Sequence, residues 1–147
     1  MVGEFNMAKK TIAWVDYEPG FVKFYQDGLR QVFPGTEIDH FNTGTDFRSA
    51  VKSRAYDLIV MEPMINPPEK DTDLTQAGLS LVREIRASGP NIETPIVFYT
   101  IISREDLERK CRDQCGNDFQ GLNLKVLFKP ECILLSELVL EFRDYLR

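Results

Sequence analysis

The sequence predicts an α/β domain built on a five-stranded parallel sheet with helices on both faces. Three observations predict it. Strand-like and helix-like stretches alternate from Lys10 to the end of the chain, the order that a parallel sheet with crossover helices requires. Two of the strand candidates, Thr11–Val15 and Leu58–Met61, are nearly unbroken apolar runs, as strands buried on both faces should be. Four of the runs end in a residue able to do chemistry, namely Asp16, Glu62, Thr100 and Lys129. Open α/β sheets bind their ligands at that carboxyl edge.

Taken in order, Thr11–Val15 is the first strand. Pro19 then suits a first helical turn, and Phe21, Val22, Tyr25, Leu29, Val32 and Phe33 share one broad helical side before Pro34-Gly35 stops the helix. Glu37–Phe41 reads as a short second strand and Thr45–Ser53 as a short helix with Phe47, Ala50 and Val51 inward. Leu58–Met61 is the third strand, followed at once by Glu62-Pro63. A proline-rich polar loop runs from Pro63 to Thr75, longer than the roughly 2 to 6 residues of an ordinary βα connection. Gly78 to Ser88 is helical, and Pro95–Thr100 is the fourth strand. Ser103 and Asp106 have capping-box spacing and open a helix to Cys111 or beyond. After a loop over 116–123, Lys125–Phe128 is the fifth strand, and Leu134 to Leu146 is a helix with Leu140 on its polar face.

With 147 residues, of which 43% are hydrophobic and 28% charged, the chain has the makings of one globular domain. Residues 1–8 lack periodicity and read as an N-terminal tail or cloning remnant, leaving 9–147 as the domain. No apolar run could span a bilayer, which argues against a membrane protein. The net charge of −5 argues against nucleic acid as a partner, because phosphate contacts need clustered Lys and Arg. Cys111, Cys115 and Cys132 form no disulfide framework and point to a reducing cytoplasm. Cys111 and Cys115 share a helix face, but the sole histidine, His40, is distant, and a zinc site needs about four such ligands.

The strand ends carry the functional expectation. Asp16 and Glu62 beside the Lys129 ammonium and the Thr100 hydroxyl make a charged pocket of the kind that binds a divalent ion and a phosphoryl group. A salt-bridged strand edge with no ligand is the alternative. Residue by residue, Val15-Asp16-Tyr17-Glu18-Pro19, the run Tyr56 to Glu62, Gly78, the run Thr94 to Thr100 and Lys129-Pro130 occur in the order found in response regulators. The chain resembles the receiver domain of that CheY-like family, over almost its whole length from Lys9. The resemblance implies a flavodoxin-like, doubly wound sandwich. It also implies a site in which two acidic residues and an acceptor aspartate hold Mg²⁺, a Ser or Thr and a Lys engage the phosphoryl group, and the Lys-Pro bond is often cis.

Departures from that pattern shape the expected function. Glu62 stands in place of the phospho-accepting Asp, and Tyr17 in place of the second acidic residue. A phenol is a poor ligand for a hard cation, so Mg²⁺, through Asp16 and Glu62, is expected to bind weakly and no cofactor is expected to be required. The longer Glu62 carboxylate shifts the geometry that phosphoryl transfer depends on but can approach Thr100 and Lys129. Glu62 is then either a built-in mimic of the phosphorylated state or only a partner for Lys129. Val126 occupies the place of a switch aromatic, so signalling through an aromatic swing with Thr100 is expected to be lost. A contact face including Leu140, Phe119 and Leu122 is expected beside it.

The expected function is therefore a non-catalytic receiver-like interaction module of a two-component system, independent of phosphorylation. Its partner would be a histidine kinase, another signalling protein or a second copy of the chain, with no small-molecule substrate. An atypical receiver that accepts phosphate from a histidine kinase on Glu62 or Asp57 is the alternative, although Asp57, at the start of its strand, lies at the wrong end for that pocket. A metal-dependent hydrolase using Asp16, Glu18 and Glu62 ranks last, since no nucleophile and base are evidently paired.

Overall fold

The computed structural model describes residues 9–16, 19–63, 74–100, 102–115, 124–129 and 134–146. Strands β1 (Thr11–Val15), β2 (Glu37–Phe41), β3 (Leu58–Met61), β4 (Ile96–Thr100) and β5 (Leu124–Phe128) alternate with helices α1 (Pro19–Val32), α2 (Gly44–Ser53), α3 (Leu74–Ala87), α4 (Arg104–Cys115) and α5 (Leu135–Leu146). All strand pairs are parallel, in the order β2-β1-β3-β4-β5. This is the doubly wound, flavodoxin-like sandwich that the sequence predicts.

Strand alternation divides the core in two. Ile12, Trp14, Leu58, Val60, Val97 and Tyr99 face one side, where they pack with Val22, Tyr25 and Leu29 of α1 and Leu138 and Phe142 of α5. Ala13, Val15, Ile59, Met61, Ile96 and Phe98 face the other, against Phe47 and Val51 of α2, Leu81, Val82 and Ile85 of α3 and Leu107 of α4. Trp14 anchors the first layer, edge-on to Tyr99 and Phe142 at centroid distances of 6.3 and 6.0 Å.

Helix ends follow local chemistry. Thr43 caps α2 by accepting from the Asp46 amide, and Ser103 does the same for Asp106 at α4. Gly35 has φ +91°, a left-handed turn that a side chain would strain, and it redirects the chain from α1 into β2. A buried Asn91 ties the opposite, amino edge of the sheet together. Its Oδ1 accepts from the Tyr56 amide, and its Nδ2 donates to the carbonyls of Val51 and Arg54.

Two expectations need correction. Val32, assigned inward, is 49% exposed. The buried stripe of α1 runs through Val22, Tyr25, Gln26 and Leu29 to Phe33, with the polar Gln26 on one flank bonded to His40, while Val32 lies on the other flank, beyond the sheet's cover. Helix α3 begins at Leu74 rather than Gly78, which places Gly78 one turn inside it. The reason is packing rather than helix initiation: a Cβ on Gly78 would lie 2.1 Å from the Pro63 carbonyl oxygen. Leu140 is 60% exposed on α5, on the side assigned to it. Residues 1–8, most of the loop from Pro63 to Thr75, and Phe119 and Leu122 lie outside the described residues.

Candidate functional site

The parallel register brings the carboxyl ends of β1, β3, β4 and β5 to one edge, so Asp16, Glu62, Thr100 and Lys129 converge although 113 positions separate the first from the last. The sheet ladder continues one residue past β1 and β3. The Asp16 amide donates to the Phe41 carbonyl at 3.3 Å, and the Glu62 amide to the Val15 carbonyl at 3.1 Å. Both carboxylate-bearing residues are thus fixed to the sheet at their backbones.

All four side chains are buried: Asp16 is 2% exposed, Glu62 4%, Thr100 0% and Lys129 5%. Buried charges persist only when paired and hydrogen-bonded, and these are. The Lys129 ammonium lies 2.8 Å from Asp16 Oδ2 and 3.5 Å from Glu62 Oε2, and 5.5 Å from the centre of the Tyr99 ring. Thr100 Oγ1 donates to Glu62 Oε1 at 2.7 Å and accepts from the Ile102 amide at 3.0 Å. One hydroxyl therefore joins the carboxylate to the backbone that leads into α4. Both acidic residues named as metal ligands face the ammonium, and the described residues contain no cluster of three or more His, Cys, Asp or Glu able to hold a metal ion.

The sequence anticipated that Glu62 would reach both Thr100 and Lys129; the structure brings all three together, but the nearer carboxylate to the ammonium is that of Asp16. Val126 is half-buried on β5, in register with Phe98, and lines a groove of about 280 Å³ with Phe128, Glu137 and Arg104, whose guanidinium lies over the Phe128 ring. Tyr17, Glu18 and Pro130 lie outside the described residues. Two contributors were not anticipated. Tyr99 beneath the ammonium could have been inferred from strand alternation, whereas the close approach of Gly78 to Pro63, directly after Glu62, has no signal in the sequence beyond the glycine itself.

No protein-family model and no curated protein sequence matches the chain. Solved structures do. A signal receiver domain of a two-component histidine kinase from Clostridium thermocellum superposes with a TM-score of 0.70 at 15% identity, covering 95% of this chain and 99% of its own. The fold is that of receiver domains. A second structure with this receiver fold is the receiver domain of a sensor histidine kinase from Pseudomonas aeruginosa PAO1, with a magnesium ion coordinated in its active site cleft. It gives a TM-score of 0.68 at 22% identity over 95% of this chain and 98% of that one. A response regulator from Hahella chejuensis gives 0.65 at 18% identity over 92% of each chain. Among the described residues of this receiver fold, no helix is long and apolar enough to cross a membrane.

Proposed function

We propose that the chain is a receiver-like signalling module that works by binding another protein, without catalysis and without a phosphorylation cycle, and that Glu62 stands where receivers carry their phospho-accepting aspartate. One observation carries this reading: the Glu62 carboxylate already holds the Thr100 hydroxyl at 2.7 Å, and the same hydroxyl holds the Ile102 amide. A carboxylate thus supplies the acceptor oxygen that a phosphoryl group would otherwise bring to Thr100, with fewer acceptor atoms and less charge. Glu62 is on this reading a built-in mimic and not merely a counter-ion, since Lys129 has Asp16 as its nearer partner. Among the described residues no group of three or more His, Cys, Asp or Glu could hold a metal ion. The partner is a signalling protein, a histidine kinase among the candidates, in the cytoplasm.

The experiment is exposure of the chain to a small-molecule phosphodonor with Mg²⁺, followed by intact-mass spectrometry. The mass is expected to stay unchanged. An adduct of one phosphoryl group mapped to Glu62 would instead make the chain a phospho-accepting receiver of unusual design.

A further inference from the structure

We infer that Tyr99 is a positioning residue of the pocket: the face of its ring holds the Lys129 ammonium, and its edge-on contact with Tyr25 carries a change in the pocket's charge to helix α1. This deepens the reading above and rests on its assignment of the pocket. It names a second element, besides the backbone at Ile102, that reads the buried charges.

Strand alternation places the ring. Tyr99 shares one face of the sheet with Trp14, Val60 and Leu127, and it stands in register with Leu127, two residues before Lys129. Trp14 likewise stands two residues before Asp16. The two rings form an aromatic floor under the charged groups, 6.3 Å apart and nearly perpendicular. Lys129 Nζ lies over the Tyr99 ring at 5.5 Å from its centre, within the range where the negative face of an aromatic attracts a cation. Tyr99 is fully buried and Lys129 is 5% exposed, and such contacts strengthen when desolvated. A saturated side chain at this position would cover the core but present no such face.

From Tyr99 a chain of edge-on rings runs outward along α1. Tyr25 lies 6.3 Å from Tyr99 at 77°, and Phe24 lies 5.3 Å from Tyr25 at 87°. Tyr25 is buried, whereas Phe24 is 62% exposed, so the chain ends at the surface. Close-packed rings transmit a displacement rather than absorb it. Coupling between distant sites needs an element with two arrangements. The ammonium is that element, shared now between Asp16 at 2.8 Å and Glu62 at 3.5 Å. With the charge of Glu62 removed, it is drawn to Asp16 alone and shifts over the ring.

The test is nuclear magnetic resonance of the parent chain, Tyr99→Phe and Tyr99→Leu, each with and without Glu62→Gln. The Lys129 ε-methylene protons, shielded by the ring face, are expected upfield of their position in a free lysine in the parent and in Tyr99→Phe, and to lose that shift in Tyr99→Leu. Glu62→Gln is expected to displace the ring resonances of Tyr25 and Phe24 in the parent and Tyr99→Phe backgrounds and to leave them in place in Tyr99→Leu. A ring that only fills volume would leave Lys129 at the same position with Phe or Leu beneath it, and that result would overturn the inference. Phe24 and Tyr25 resonances that respond to Glu62→Gln equally with Leu at position 99 would overturn it too. Should Tyr99→Leu not fold, the parent and Tyr99→Phe decide: an upfield Lys129 together with a Phe24 ring that responds to Glu62→Gln supports the inference, and the absence of either overturns it. Phosphoryl mass on Glu62 with these shifts intact would sink the phosphorylation-independent reading alone. Lys129 at its free-lysine position in a parent that gains no phosphoryl mass would sink this inference alone.

Discussion

Thr100 is the residue through which the buried charges reach the backbone, because its hydroxyl donates to Glu62 and accepts from Ile102 at the same time. Thr100→Val keeps the shape and removes both bonds, leaving a buried carboxylate oxygen and a half-buried amide each without this partner. The expected cost is about 1–3 kcal/mol, read as a lower urea midpoint with an unchanged slope. A second residue-scale consequence lies at the opposite edge of the sheet. Burial, and then the hydrogen bond that its hydroxyl donates to Asp39 at 2.9 Å, push the Tyr56 phenol up to about 12. A folded-state value above the unfolded value near 10 means that this stability is fully present below about pH 10 and is lost as pH rises toward 12. Denaturant titrations across that window should show the parent losing stability more steeply than Tyr56→Phe, which has no phenol to ionise. Parallel slopes for the two proteins would show that Tyr56 is not held in its neutral form.

Between elements, α3 approaches the turn after β3 closely, where Gly78 meets the Pro63 carbonyl. In an exposed helix interior, Gly→Ala stabilises by about 1 kcal/mol. Here the added methyl would meet backbone 2.1 Å away, so α3 and the turn carrying Glu62 must separate. Gly78→Ala is expected to destabilise by about 1–3 kcal/mol net, measured by chemical denaturation. This contact also marks the limit of what the sequence discloses about the elements. Strands β1, β2 and β3 are legible to the residue because the runs Thr11–Val15, Glu37–Phe41 and Leu58–Met61 are each bounded by polar or turn-forming residues. The start of α3 is not legible, because the sequence before Gly78 is polar and a glycine there suggests a boundary when its reason is packing. Val32 misleads for a related cause. Helical periodicity gives the direction of a buried stripe but not its width, and a hydrogen bond to His40 let Gln26 take the inner flank.

At the scale of the whole molecule, the fold follows from alternation and the site from the residues that end the strands. Asp16, Glu62, Thr100 and Lys129 were each visible as strand-end residues, and parallel pairing alone suffices to gather them at one edge. What the sequence could not give is the partition of charge inside the pocket: that the ammonium takes Asp16 as its nearer carboxylate and leaves Glu62 to hold Thr100 depends on a difference in distance of less than an ångström. That partition underlies the account, in which a carboxylate that is always present replaces a phosphoryl group that comes and goes. The measurement that tests it most directly is the amide resonance of Ile102, the backbone group that reads the Thr100 hydroxyl. The account predicts that a phosphodonor with Mg²⁺ leaves this resonance where it is in the parent chain, whereas Glu62→Gln displaces it. A resonance that moves in the parent when phosphodonor is added, and returns as the donor is exhausted, would contradict the account.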